Sequence, residues 1–294
     1  MFEIVASLLV SVLAMAGAAG HPGRDHDEDD WPIAETRTFE ESFELAAGQT
    51  PRVVVDDVWG SIAVEAGPAG RVTVSVRETM HARTRAALEQ ARREVRLDRV
   101  HQGAVVRLYV DGPFRCEKGR GNCCCVNWGD EDYRPVYDFT LRVPERADLV
   151  LRTVNEGDVR MAGVHGEFEV RNVNGPVRLE RVAGSGTAKT VNGEVLVAFA
   201  RNPTGDCEFS TVNGDVNVAL RPGLAADAKV KTMNGEMWSD FPFTTLPSAE
   251  VVRSERGGKT VLRSQSAKLR IAQGGPLLTL ETLNGDILIR SVER

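Results

Sequence analysis

A short motif built on Asn-Gly recurs through the second half of the chain, and its spacing limits the folds available. The copies are VNGPV (173–177), TVNGEV (190–195), TVNGDV (211–216), TMNGEM (232–237) and TLNGDI (282–287), and DVWGSI (57–62) is a degenerate copy. From Gly175 to Gly235 the turn glycines are 18, 21 and 21 residues apart. Such a period holds two short strands and two turns, whereas a four-stranded propeller blade needs about 40 residues.

Apolar residues recur at fixed offsets on both sides of each turn. Before Asn213-Gly214, Cys207, Phe209 and Val212 are apolar, and Val216 and Val218 follow the turn. We assign these residues, and their counterparts in the other repeats, to the interior of the fold. Alternation with a period of two is typical of strands with one buried face. One repeat is too small to bury its own apolar residues, so the repeats must stack to form a continuous core.

The sequence therefore predicts an all-β protein, in which residues 145–294 form a β-solenoid of short two-strand coils. Antiparallel hairpins on Asn-Gly type I′ turns are the alternative. In both folds the turn residues are structural, because Asn and Gly tolerate the positive φ that such turns require. These predicted turn residues are Asn174, Gly175, Asn192, Gly193, Asn213, Gly214, Asn234, Gly235, Asn284 and Gly285.

The first half is less regular. Residues 1–18 contain an apolar run with an Ala-x-Ala cleavage pattern, which predicts a signal peptide, although a membrane anchor is the alternative. A polar linker (19–36) follows. Residues 37–144 predict a β-rich region with a helix at 80–95 and a cysteine-rich loop at 112–135. The protein is expected to be exported, to the periplasm, the cell surface or the medium.

The cysteine-rich loop carries four of the five cysteines, which are Cys116, Cys123, Cys124 and Cys125. Export favours disulfides, with Cys116 bonded to one member of the run. A zinc or iron–sulfur site and a redox role are the alternatives. Adjacent residues of an extended chain point to opposite sides, so three consecutive thiolates rarely share one metal. Cys207 lies at an interior position and is predicted to be a small buried apolar residue.

Charge and motifs exclude several function classes. The net charge is −6 and the basic residues are scattered, so no nucleic-acid partner is expected. The sequence has no nucleophile elbow, P-loop or dinucleotide fingerprint, and we expect neither a cofactor nor a metal.

Glu194, Asp215 and Glu236 follow turn glycines and would align in a stack. We interpret them as solvated turn edges rather than as Ca²⁺ ligands or glycosidase carboxylates.

Two segments together resemble a known family. Tyr137–Pro144 (YDFTLRVP), then Ala147-Asp148-Leu149 and the repeated T-V-N-G-D-V, are similar to the bacterial putative-adhesin family of unknown function, over roughly Phe39 to Ile289. The resemblance implies an exported or envelope-associated β-solenoid. We therefore expect a non-enzymatic interaction module that binds an envelope or surface ligand, either a glycan or a protein. A polysaccharide lyase or hydrolase on the same scaffold is the alternative.

The sequence also leads to an expectation about self-association. The last repeat ends at Ile289, and an uncovered final coil would present unpaired main-chain groups. Arg290, Glu293 and Arg294 are charges of the kind that discourage edge pairing. We therefore expect a monomer or a weak homodimer.

Overall fold

The computed structural model describes residues 31–46, 48–115, 132–246, 252–256, 259–263 and 266–292. These residues form 23 strands and one helix, α1 (Arg85–Glu94). The strands up to residue 144 are β1 (Ile33–Glu44), β2 (Arg52–Asp56), β3 (Ile62–Gly67), β4 (Arg71–Ala82), β5 (Arg96–Gln102), β6 (Val105–Asp111) and β7 (Tyr133–Pro144). Those that follow are β8 (Asp148–Arg152), β9 (Val159–Ala162), β10 (Phe168–Arg171), β11 (Val177–Val182), β12 (Gly186–Lys189), β13 (Val195–Phe199), β14 (Cys207–Ser210), β15 (Val216–Leu220), β16 (Ala226–Lys231), β17 (Met237–Ser239), β18 (Phe243–Thr245), β19 (Val252–Arg256), β20 (Lys259–Arg263), β21 (Ser266–Ile271), β22 (Leu277–Glu281) and β23 (Ile287–Ser291).

The strands form two sheets that enclose one core. The first sheet has the order β1-β4-β7-β3-β9-β11-β13-β15-β23-β17-β20-β19, and the second has the order β18-β21-β16-β22-β14-β12-β10-β8-β2-β6-β5. In each coil the strand before the turn belongs to the second sheet and the strand after it belongs to the first. Neighbouring coils pair in parallel and in register, as β14 does with β12 and β22. The β-solenoid is therefore confirmed, and the hairpin alternative is excluded because the two strands that flank each Asn-Gly turn lie in different sheets.

The spatial order of the coils differs from their order in the chain. The last coil, β22–β23, lies inside the stack, with β22 between β14 and β16 and β23 between β15 and β17. The expectation that this coil forms an open end is therefore wrong. Arg290 belongs to an interior strand, so it does not protect an exposed sheet edge from pairing with another chain. Glu293 and Arg294 lie outside the described residues.

The other displaced coil is β2–β3, which contains the degenerate turn at 57–62. It pairs in parallel with β8–β9 on one side and with β6 and β7 on the other. The stack of coils thus includes residues before 145, and the predicted division between 37–144 and 145–294 does not coincide with a structural boundary. The predicted linker also ends earlier than expected, because β1 begins at Ile33.

The helix covers part of the N-terminal end of the stack. Ala87, Leu88 and Ala91 of α1 are buried, and the helix packs on β4 and β7. Helix α1 is shorter than the predicted span of 80–95, because residues 80–82 complete the buried alternation of β4. The Thr84 hydroxyl caps the helix by accepting a hydrogen bond from the Ala87 N–H at 3.1 Å.

Buried and outward-facing residues alternate strictly along the strands of the core, and one of the positions predicted to be interior is therefore wrong. The first two apolar positions before each turn are buried, as Cys207 and Phe209 are, and so are Val216 and Val218 after it. In the Asn-Gly repeats the third position is not fully buried: Val212 is 37% exposed and Thr211 is buried instead, whereas Val58 of the degenerate copy is buried. Alternation continues through Thr211, so the residue before the turn asparagine points outward.

Candidate functional site

The Asn-Gly turns of successive coils lie along one side of the solenoid, which we call the turn edge. It consists of the turn segments 153–158, 172–176, 190–194, 211–215, 282–286 and 232–236, in spatial order. Each turn contributes a threonine or asparagine, an apolar residue, an asparagine and, in most coils, an acidic residue. Parallel in-register pairing converts these four positions into four rows that run along the stack.

The turn glycines are required because adjacent turns approach closely. A Cβ atom on Gly214 would lie 2.2 Å from the carbonyl oxygen of Gly193, and Gly214 has a φ of 147°. A Cβ on Gly193 would lie 2.4 Å from the Gly175 oxygen, although Gly193 does not have a positive φ. Close packing of one turn on the next therefore excludes side chains along the whole row, and positive φ adds strain at some of its members.

The turn asparagines do not have the backbone role expected from the sequence. None of the five predicted asparagines has a positive φ. Their side chains instead form an amide ladder, in which each Nδ2 donates to the Oδ1 of the asparagine in the preceding coil at 2.7–2.8 Å. Along the stack the ladder runs through Asn155, Asn174, Asn192, Asn213, Asn284 and Asn234. Asparagine is needed here because it carries both a donor and an acceptor.

A row of buried side chains lies beneath the ladder, and its role was not predicted from the sequence. The Thr211 hydroxyl donates to the carbonyl oxygen of Gly193 at 2.8 Å, and Thr282 donates to that of Gly214 at the same distance. The other members are Thr153, Asn172, Thr190 and Thr232, which bond turn-glycine oxygens in the same way. The row satisfies main-chain oxygens that tight stacking shields from water. Strict period-two alternation is the signal that identifies these residues as interior.

The acidic row has a structural role in at least two coils. The Asp215 Oδ1 accepts the main-chain N–H of Asp286 at 2.8 Å, and the Asp286 Oδ1 accepts that of Glu236 at 2.8 Å. Asp286 therefore separates Asp215 from Glu236, although the repeat spacing predicted that these two residues would be neighbours in the stack. Glu194 lies in the adjacent coil and is exposed.

The apolar row is the most exposed hydrophobic feature of the turn edge. Val191, Val212 and Leu283 are 37–39% exposed, and Met233 is 55% exposed. Val154 and Val173 extend the row toward the N-terminal end, where they are partly buried. Six residues at the coil spacing of about 4.8 Å cover about 24 Å. A continuous apolar row beside a ladder of amides is a surface suited to binding a partner.

The predicted cysteine sites divide between described and undescribed residues. Cys116, Cys123, Cys124 and Cys125 lie outside the described residues. Cys207 is buried as predicted, and burial raises the pKa of its thiol to about 11. A thiol with such a pKa is almost entirely protonated at neutral pH and is a poor nucleophile.

A buried carboxyl group near the N-terminal end of the stack was not singled out from the sequence. Asp57 is 1% exposed, and neither of its carboxylate oxygens has a hydrogen-bond partner among the described residues. Burial raises the pKa of Asp57 well above its ordinary value. The hydroxyl of Tyr137 is also buried without a partner in this part of the chain, and burial raises its pKa. Asp57 continues the alternation of Val53 and Val55, the same signal that places Thr211 inside, but the pattern does not show that its carboxyl lacks a partner in the described part of the chain.

The described residues lack a metal-binding cluster and a membrane-spanning helix. They contain no group of three or more His, Cys, Asp or Glu side chains arranged to hold a metal ion. No helix among them has the length and apolar character needed to cross a membrane.

Comparison with known proteins gives a family and several similar solved structures. A profile of the family described as Toastrack DUF4097 matches residues 72–275. Solved structures similar to this chain include a putative cell adhesion protein from Clostridium sporogenes, which is 11% identical, with 87% of this chain and 100% of that chain covered and a TM-score of 0.33. A putative adhesin from Bacteroides fragilis is 10% identical, with 87% and 97% covered and a TM-score of 0.37. A putative lipid binding protein from Parabacteroides distasonis is 12% identical, with 87% and 97% covered and a TM-score of 0.29. No curated protein matches the chain.

Proposed function

Because the chain belongs to the Toastrack DUF4097 family, we propose that it is a non-enzymatic, exported interaction module that contacts its partner through the turn edge. The module acts at the cell surface or in the periplasm. The family contributes the β-solenoid scaffold, and the turn edge of this chain contributes the contact surface.

The observation that carries the proposal is the grouping of exposed apolar side chains. Eight large hydrophobic side chains of the described residues are exposed, and four of them lie in the single row of the turn edge. These four are Val191, Val212, Met233 and Leu283. Isolated exposed hydrophobic residues are common, whereas a contiguous row marks a contact surface.

The turn edge also has fixed geometry, which favours binding. The amide ladder and the buried hydroxyl row hold each turn at a set distance from the next. A partner therefore meets a preformed surface and does not pay the entropic cost of ordering it. The row is narrow, so the interface is expected to be small and the binding moderate in strength.

The test compares two multiple variants in binding to intact cells and isolated envelopes of the encoding organism. One variant carries Val191→Gln, Val212→Gln and Leu283→Gln on the turn edge. The control carries Val100→Gln and Val105→Gln, whose wild-type side chains are similarly exposed on β5 and β6. We expect the first variant to lose most of its binding and the control to bind like the wild type. Equal binding by both, with circular dichroism spectra unchanged, would refute the role of the turn edge.

Two further measurements address location and catalysis. Protease treatment of intact cells should degrade a surface protein, whereas a periplasmic protein should be degraded only after the outer membrane is permeabilised. Purified protein incubated with acidic polysaccharides is expected to produce no new reducing ends or unsaturated products. Turnover would support a carbohydrate-active enzyme instead.

A further inference from the structure

A groove of about 250 Å³ crosses the outer face of the first sheet, above β13 and β15. Its floor consists of Leu196, Ala198 and Ala219. The two alanines lie in one register row between Glu180 of β11 and Arg290 of β23. Small side chains between two long ones lower the middle of the face, which produces the groove. This surface lies on a sheet face and is distinct from the turn edge.

Three polar side chains that line the groove are free to bind a ligand. Glu180, Asn217 and Arg290 have no side-chain hydrogen bond or ion pair with any part of the chain that the structure describes. Glu180 and Arg290 face each other across the two alanines, and Asn217 lies one outward position closer to the turn edge. An acceptor, a guanidinium donor and an amide therefore surround an apolar floor.

The rim of the groove carries surplus positive charge. Arg178 lies 3.0 Å from Asp158, and Arg160 lies 2.7 Å from the same carboxylate. One carboxylate thus neutralises only part of two guanidinium groups. Arg160 and Asp158 lie outside the lining, and among the lining residues two cations, Arg178 and Arg290, face one anion, Glu180. The surplus favours a ligand that carries a negative charge.

We propose that this groove binds a uronic acid unit of an acidic glycan. The sugar carboxylate pairs with the Arg290 guanidinium, whose fork of donors suits a planar carboxylate. Sugar hydroxyls donate to Glu180 and exchange hydrogen bonds with the Asn217 amide. The C–H face of the pyranose ring rests on Leu196 and the alanines. The volume is below that of a pocket for a drug-sized ligand, so it accommodates a single sugar unit rather than a long segment.

The test is a titration of the purified protein with an oligogalacturonate, followed by calorimetry. We expect saturable binding, and we expect the methyl-esterified oligomer, which lacks the charge, to bind at least about ten-fold more weakly. Arg290→Gln should weaken binding of the charged oligomer by at least about ten-fold. Arg142→Gln is the matched control, because Arg142 is exposed on the same sheet face but outside the groove. Its affinity should stay within about two-fold of wild type.

Three outcomes would overturn the inference: no saturable binding, equal binding of the charged and esterified oligomers, or equal loss in Arg290→Gln and Arg142→Gln. Unfolding midpoints of both variants show whether a loss of binding comes from misfolding. The turn-edge variant should bind the oligogalacturonate like the wild type. Failure of this inference and failure of the proposed turn-edge function are therefore distinguishable.

Discussion

Replacing one turn glycine by alanine should destabilise the stack far more than replacing a glycine elsewhere. In Gly214→Ala the new Cβ lies 2.2 Å from the Gly193 oxygen, so the two turns must separate. That oxygen also accepts a hydrogen bond from the Thr211 hydroxyl at 2.8 Å. The Gly193 N–H donates to the main-chain carbonyl oxygen of Asn213 at 2.9 Å. Overpacking costs about 1–3 kcal/mol, the φ of 147° costs about 1–3 kcal/mol, and each weakened hydrogen bond costs about 1 kcal/mol. Partial relaxation reduces the sum, and we expect a loss of about 3–6 kcal/mol.

Gly223→Ala is the matched control for this prediction. Gly223 has a φ of 80°, and a Cβ there meets no atom within 4 Å. Its substitution therefore costs only backbone strain, about 1–2 kcal/mol. Urea unfolding followed by circular dichroism compares the two variants with the wild type. If the two alanine variants unfold at the same urea concentration, with equal m-values, close packing of the turns does not explain the glycine row.

Four other predictions concern the buried polar groups, the coil order and self-association. Thr211→Val keeps the side-chain shape but removes the donor to the Gly193 oxygen, so we expect a loss of about 1–3 kcal/mol in urea unfolding, and recovery of most of it in Thr211→Ser. The pKa of Asp57 is raised in the folded state. The contribution of this carboxyl group to the free energy of unfolding is therefore fully present below the unfolded-state pKa and is lost as the pH rises through the folded-state pKa. Asp57→Asn should therefore gain stability over the wild type as the pH rises from about 4 to 8, and thermal melts across this range would contradict the reasoning if the difference in melting temperature between the two proteins did not change with pH. Deleting residues 277–292 removes a coil from inside the stack and should abolish the cooperative unfolding transition. Because Arg290 lies on an interior strand, Arg290→Val should leave the molar mass measured by light scattering unchanged.

The sequence was sufficient to predict the repeating unit. Period-two alternation and the recurring Asn-Gly turn are local properties, and each follows from a few adjacent residues. They correctly predicted the β-solenoid, the buried Cys207 and the alignment of the turns. The same alternation, followed strictly, also places Thr211 inside and Val212 outside. That part of the candidate site was therefore accessible from sequence, and the interior assignment of Val212 was an error of interpretation.

Other features depended on the tertiary structure. The role of the asparagines is set by the distance between coils, because an amide ladder forms only when neighbouring turns stack at hydrogen-bonding distance. The groove beside Arg290 exists because β23 lies next to β15, although 66 residues separate the end of one strand from the start of the other in the chain. Every coil offers its neighbours nearly the same main-chain groups and apolar ladder, so the repeat pattern does not specify which coil lies beside which. The long excursion between β17 and β22 allows the last coil to return between two earlier ones, and only long-range pairing decided that order.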